Sequence, residues 1–140
     1  MDHRLYDPPP GRRPHYSTVL QRDLDPDEDL AELPAEWITG LDREKMLTSE
    51  TYDMSINRHG KKAGQSLSEW EQAGWIIPAD PRGWFQWYYR FYQGRRTRDD
   101  PRQISRWYKA VGPTGRFRKT AVTSVAGRQI CWQWAVDAGR

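Results

Sequence analysis

Nine consecutive residues constrain the fold of this chain more than any other feature. Residues 84–92 read WFQWYYRFY, so seven of the nine side chains are aromatic. At about 100° per residue on a helix, the seven rings fill an arc of roughly 200°, and Gln86 and Arg90 occupy the remaining face. The pattern predicts a helix over about residues 81–93 that is buried on most of its circumference and forms the central member of the fold.

Cap residues around this segment predict further helices. Ser66 and Glu69 have the spacing of a capping box, and Gly74 is placed to end the helix that they begin. Additional helices are expected over about residues 99–111 and 124–138. No segment alternates in hydrophobicity with a period of two, so strands are not expected. The predicted fold is all-α, a compact bundle of four to five short helices.

The N-terminal part of the chain has a different composition. The prolines at 8–10 and Pro14 each remove a backbone donor and fix φ, which excludes a helix or a central strand there. We expect residues 1–22 to be extended and largely disordered. Residues 1–35 are thereby predicted to form an acidic, Pro-rich extension, and residues 36–140 a single helical domain.

Charge is divided unevenly along the chain. Residues 1–60 carry seven Lys and Arg against thirteen Asp and Glu, and residues 61–140 carry fifteen against six. Residues 82–119 hold eleven basic residues and only two acids, Asp99 and Asp100. This asymmetry favours an anionic partner for the second half, with an acidic segment that covers it. The alternative, that the arginines cap helices and cover aromatic faces, stays open.

The helix predicted after the aromatic segment favours nucleic-acid binding. Residues at i, i+3, i+4 and i+7 form an apolar stripe that is expected to face the core: Ile104, Trp107, Tyr108 and Val111. Arg102, Arg106 and Lys109 lie outside this stripe and are expected to form an outward basic row. The Gly-rich loop over residues 112–120 then offers backbone N–H groups to an anion, with Phe117 as a stacking side chain.

The leading hypothesis is therefore a nucleic-acid-binding module. Its predicted phosphate or anion ligands are Arg90, Arg95, Arg96, Arg98, Arg102, Arg106, Lys109, Arg116, Arg118 and Lys119. Its predicted stacking residues are Trp84, Trp87, Tyr88 and Phe117.

Two other function classes stay open. In a small enzyme or binding protein for an aromatic, anionic metabolite, the Trp and Tyr side chains would enclose the ring and an arginine would hold the anionic group. The weak catalytic candidates are Glu71, His59 and Tyr88, which can transfer or donate protons. A protein-interaction module is the second alternative, since Trp, Tyr and Arg dominate binding hot spots.

No metal site or cofactor is expected. The three histidines and the single Cys131 match no known ligand spacing. The chain contains neither an apolar run of about 18 residues nor the apolar stretch of a signal peptide. We expect a cytoplasmic protein, nuclear in a eukaryote, that is not secreted and does not bind membranes.

Three runs of residues resemble a known group of proteins. They read WEQAGW at 70–75, DPRGWFQWYYRFYQGRR at 80–96 and RQISRW at 102–107. Together they resemble a family of small Trp-rich proteins from fungi and bacteria whose activity is uncharacterised. The resemblance covers about residues 50–138 and implies a discrete domain, without an activity or catalytic residues.

Overall fold

The computed structural model describes residues 14–42, 44, 48, 54–61, 66–136 and 138. In chain order its elements are strands β1 (His15–Ser17) and β2 (Arg22–Leu24), helices α1 (Pro26–Ala31) and α2 (Ala35–Ile38), a 3₁₀ turn at Met54–Ile56, and helices α3 (Leu67–Gln72), α4 (Trp84–Tyr92), α5 (Asp100–Val111), α6 (Arg116–Ala121) and α7 (Val125–Gln133). The described part is compact and mostly helical, as predicted. None of its helices is long and apolar enough to cross a membrane. Residues 1–13 of the predicted N-terminal arm lie outside the described residues.

A short antiparallel hairpin corrects the all-α prediction. Strands β1 and β2 pair with His15 opposite Leu24. Ser17 is buried, and its Oγ accepts the N–H of Leu20 at 3.1 Å within the turn. Strands of three residues are too short to show a period of two, so the sequence pattern did not predict them. The expectation of disorder over residues 1–22 is therefore wrong for the hairpin.

Helix α3 begins and ends as the sequence predicts. Ser66 Oγ accepts the N–H of Glu69 at 3.2 Å, and Glu69 Oε1 accepts the N–H of Ser66 at 3.3 Å, which completes the capping box. At the other end Gly74 has a φ of 76° and the N–H of Trp75 donates to the Trp70 carbonyl at 3.1 Å. This ending is a Schellman motif, which fixes the backbone of Trp75.

Helix α4 begins three residues later than predicted. Gly83 has a φ of 95°, and a Cβ there would lie 3.1 Å from the Trp70 ring, so the chain turns sharply before Trp84. The side chains from Trp84 to Tyr89 are buried, whereas Tyr92 is exposed. These rings form one core cluster with buried residues from both ends of the chain: Leu30, Leu33, Trp37, Trp132 and Ala135.

The predicted core face of α5 is wrong for two of its four residues. Ile104 and Tyr108 are 38% and 57% exposed, although Val111 is fully buried. Gln103 is buried in their place, at 1% exposure. Its amide donates to Asp99 Oδ2 at 3.0 Å and accepts from Arg106 at 3.1 Å, so its polar atoms have partners inside the fold.

The C-terminal helices pack closely through glycines. Residues from Arg116 onward are helical, so the predicted Gly-rich loop shortens to residues 112–115. A Cβ on Gly115 would lie 2.6 Å from the backbone of Ala110, and this approach holds α6 against α5. Helix α7 begins close to the predicted residue 124, where Ser124 caps it by accepting the N–H of Gly127 at 3.1 Å, but it ends at Gln133 and not near residue 138.

Candidate functional site

Two of the predicted anion ligands are bound to a buried carboxylate. Arg90 donates to Asp80 Oδ1 at 2.9 Å, and Arg95 donates to both oxygens of Asp80 at 2.7 Å. Asp80 is 1% exposed. Glu32 accepts two further hydrogen bonds from Arg90 at 2.7 Å, and these bonds raise the pKa of Arg90 above its usual value. Both guanidinium groups are therefore engaged within the fold.

Two more predicted ligands complete the ends of helices. Arg96 donates to the carbonyls of Phe91 and Arg95 at 2.8 Å, and its guanidinium lies 3.8 Å from the centre of the Phe91 ring. Arg118 donates to the Val111 carbonyl at 3.2 Å. Carbonyls at a helix C-terminus have no partner within the helix, so cations are favourable there. For these residues the capping interpretation is supported.

Arg102 forms an ion pair that stays open to solvent. Its Nε and Nη2 donate to the two oxygens of Asp99 at 2.6 and 3.0 Å, and its side chain is 40% exposed. An exposed pair within one helical turn adds about 0.3–0.5 kcal/mol, which an incoming anion can replace. Arg102 therefore remains accessible as a ligand.

The other predicted cations have no carboxylate within ion-pair distance among the described residues. They are Arg98, Arg106, Lys109, Arg116 and Lys119. All are exposed except Arg106, and the guanidinium of Arg116 lies 4.7 Å from the centre of the Phe117 ring. Residues 101–136 contain seven Lys and Arg and no Asp or Glu, so this part of the sequence offers no acid to pair with them.

The exposed face of α5 has a basic edge and an apolar edge. Arg102 and Lys109 differ by seven residues, which places them within about 20° of each other around the helix and about 10 Å apart along it. Ile104 and Tyr108 lie on the other side of this face, within about 40° of each other. All four side chains are exposed. This arrangement follows from the rotation of α5 that buries Gln103.

Arg106 does not lie in an outward row as predicted. It is half-buried, and its Nη1 donates to Gln103 Oε1 at 3.1 Å. Its guanidinium carbon lies 5.9 Å from the centre of the Trp75 ring and 5.8 Å from that of Trp134. Burial, together with the nearby charge of Arg102, lowers the pKa of Arg106.

The predicted stacking residues of α4 are in the core. Trp84, Trp87 and Tyr88 are 5%, 3% and 6% exposed. The rings of Trp84 and Tyr88 stack at 5.1 Å with an interplanar angle of 10°, and Trp87 Nε1 donates to Asp100 Oδ1 at 2.8 Å. These rings present no open face to a base.

Phe117 is half-buried beside Arg116. Among the described residues from α1 onward, the exposed aromatic side chains are instead Trp75, Tyr92 and Tyr108, which sequence reasoning did not select as stacking residues. For Trp75 a signal was present, since it directly follows the glycine that ends α3 and therefore belongs to no helical face.

The three catalytic candidates make separate contacts. The Glu71 carboxylate lies 3.1 Å from His15 Nε2 and accepts the N–H of Thr18 at 3.2 Å, so it joins α3 to the hairpin. The ring of His59 lies edge-on to Trp132 at 6.4 Å. Burial raises the pKa of the Tyr88 phenol, which stays protonated near neutral pH. Sequence reasoning missed His15 because it assigned that residue to the disordered arm.

An open groove of about 230 Å³ lies between the hairpin, α1 and α4. Its charged lining consists of Arg22, Asp25, Glu28, Asp29, Glu32 and Arg90. No Trp or Tyr lines this groove, so it is not the aromatic pocket that the metabolite hypothesis predicts. Within the described residues no three His, Cys, Asp or Glu side chains are grouped as metal ligands.

The predicted ligands therefore fall into two groups. Some bind carboxylates or helix carbonyls within the fold, and the others are exposed to solvent. No protein-family model matches the chain, and no curated protein or solved structure matches it. The resemblance to Trp-rich proteins therefore stays a prediction. Function has to be judged from the exposed cations and their surroundings.

Proposed function

We propose that the chain is a nucleic-acid-binding module whose ligand lies against the exposed faces of α5 and α6. One observation carries this proposal. Over residues 101–136 the sequence has seven basic residues and no acid, and several of these cations are exposed without a carboxylate partner in the described structure. Like charges concentrated in this way repel one another, and a polyanion relieves that repulsion.

Five exposed cations, on α5, on α6 and in the loop that precedes α5, are the proposed phosphate contacts. They are Arg98, Arg102, Lys109, Arg116 and Lys119. Arg90 and Arg95 are left out because Asp80 and Glu32 hold them, and Arg96 and Arg118 because they bind helix carbonyls. Arg106 is left out of these five because it is half-buried on Gln103. The proposal is thus narrower than the sequence hypothesis, which assigned ten residues to the same role.

Salt dependence of binding tests the proposal directly. The full chain is titrated into fluorescein-labelled single-stranded and duplex oligonucleotides between 50 and 200 mM NaCl, and anisotropy is measured. Since each phosphate contact releases counterions, five contacts predict a slope of log K against log salt of about −3.5 for single strands and −4.5 for a duplex. Lys109→Ala and Lys119→Ala should each make the slope less steep by about 0.7–0.9.

Lys61→Ala is the matched control, because Lys61 is an exposed lysine that lies outside residues 82–119, where the basic residues are concentrated. This variant should keep the slope of the parent chain. If the parent does not bind either oligonucleotide at 50 mM NaCl, or if Lys109→Ala and Lys119→Ala behave like Lys61→Ala, the proposed function is wrong.

A further inference from the structure

The exposed ring of Trp75 lies close to the guanidinium group of Arg106. Among the described residues this guanidinium forms no ion pair with a carboxylate. We propose that they form a subsite for one unpaired nucleotide, in which Trp75 stacks on the base and Arg106, with Arg102, binds the adjoining phosphate. This inference rests on the proposed function and adds that the ligand is single-stranded. It also makes Arg106 a sixth phosphate contact, so the expected single-strand salt slope becomes about −4.2. Three features of the fold support it.

The first feature is the fixed position of Trp75. The Schellman ending of α3 sets its backbone, and the next residue, Ile76, is buried in a core cluster with Leu24 and Leu67. The side chain of Trp75 is nevertheless 43% exposed. A large ring that is held rigidly and left partly open is suited to stacking, because little conformational entropy is lost when a base binds.

The second feature is the state of Arg106. A guanidinium has five N–H donors, and within the described residues Arg106 uses one nitrogen, on the Gln103 amide at 3.1 Å. No carboxylate among these residues lies within ion-pair distance of it. Arg102 is four residues earlier on the same helix and adds positive charge. A phosphate at this point would bind the unused planar donors of Arg106 directly, and it would replace Asp99 on Arg102, whose Nε and Nη2 both donate to that carboxylate.

The third feature is the separation of the two groups. The Arg106 guanidinium carbon lies over one face of the Trp75 ring, 5.9 Å from its centre. A base would therefore stack on the opposite face, and its own phosphate would reach Arg106 past the edge of the ring. Bases in a duplex are already stacked on their neighbours and expose only their edges. A stacking platform therefore selects unpaired nucleotides.

The test compares two ligands, two variants of Trp75 and one control variant. Trp75→Ala should weaken binding of a single-stranded oligonucleotide by about 5- to 150-fold, the range for loss of one base–aromatic stack. Binding of the duplex of the same sequence should change by less than about twofold. Trp75→Phe keeps a ring and should retain most of the single-strand affinity. Tyr16→Ala is the control, since Tyr16 is an exposed aromatic residue of the hairpin.

Arg106→Lys provides a second measurement at the same subsite. It keeps the charge and removes the planar donor pair, so single-strand affinity should fall while the salt slope stays within about 0.3 of the parent value. Urea unfolding of each variant confirms that it is folded before binding is compared.

The outcomes separate the two proposals. If the parent chain binds neither ligand at low salt, the proposed function fails and the subsite fails with it. If the parent binds both ligands with the expected salt slope but Trp75→Ala behaves like Tyr16→Ala, the subsite alone is overturned. Equal weakening of single-strand and duplex binding by Trp75→Ala would also overturn it.

Discussion

At the scale of single residues, Asp80 decides which arginines are available to a ligand. The sequence places Asp80 before a proline, where it is expected to cap a helix. The structure instead buries it against Arg90 and Arg95, which are ten and fifteen residues further along the chain. Spacings of this kind follow no local pattern. For this reason the basic character of residues 82–119 was predictable from the sequence. Which of those cations stay accessible to a ligand was not.

Asp80→Asn should destabilise the protein markedly. The change removes the charge that two partly buried guanidinium groups face, and breaking such an arrangement costs about 2–4 kcal/mol after allowance for the exposure of the arginines. Urea unfolding followed by circular dichroism measures the loss. Asp23→Asn, at an exposed strand position, should change the free energy of unfolding by less than about 0.5 kcal/mol. Equal values for the two variants would contradict the assigned role of Asp80.

At the scale of elements, the sequence predicted where some helices begin and end, but it did not predict which of their faces pack against the core. The capping box of α3 and the start of α7 near residue 124 depend on neighbouring residues, and both predictions are confirmed. The inner face of α5 depends on partners from elsewhere: Asp100 is buried because Trp87 donates to it, and Gln103 is satisfied within the fold. The hydrophobic pattern of a helix contains no information about hydrogen-bond partners on other elements. It therefore predicted that Ile104 and Tyr108 face the core.

Gly83→Ala should test the start of α4. Residue 83 has a φ of 95°, and an added Cβ would lie 3.1 Å from the Trp70 ring. Backbone strain and this contact together should lower the free energy of unfolding by about 2–3 kcal/mol. Gly94→Ala is the matched control at the other end of α4, where φ is 109° and no atom lies within 4 Å of the added Cβ. It should cost about 1 kcal/mol, and an equal loss in both variants would show that the Trp70 contact has no effect.

At the scale of the whole molecule, the acidic and basic halves of the sequence meet. Arg82 pairs with Asp29 at 2.7 Å, and Arg90 pairs with Glu32 at 2.7 Å, so α1 is joined to α4 by opposite charges. The sequence predicted an acidic segment that covers basic residues, and these two pairs fit that description. Leu30 and Leu33 enter the core beside these two ion pairs. The ion pairs and the two leucines together hold this N-terminal segment against the helices.

A double-mutant cycle measures this link. Glu32→Gln and Arg90→Met, singly and together, should give a coupling energy of about 0.5–1 kcal/mol, because the Glu32 side chain is 40% exposed and solvent screens the pair. In 1 M NaCl the coupling should fall, since the Debye length is then about 3 Å. The same cycle with Glu36→Gln should show no coupling, because Glu36 is an exposed residue of α2. Coupling of the same size in both cycles would argue against a specific pair.

The stacked rings of the core also give the molecule an optical signature. Trp84 lies nearly parallel to Tyr88 at 5.1 Å, and the ring of Trp134 is 4.8 Å from that of Trp84. Chromophores held this close in a fixed, asymmetric arrangement interact electronically and produce near-ultraviolet circular dichroism. That signal requires fixed side-chain packing and disappears in states that keep only their helices. The aromatic cluster therefore distinguishes the native state from a molten one without any added label.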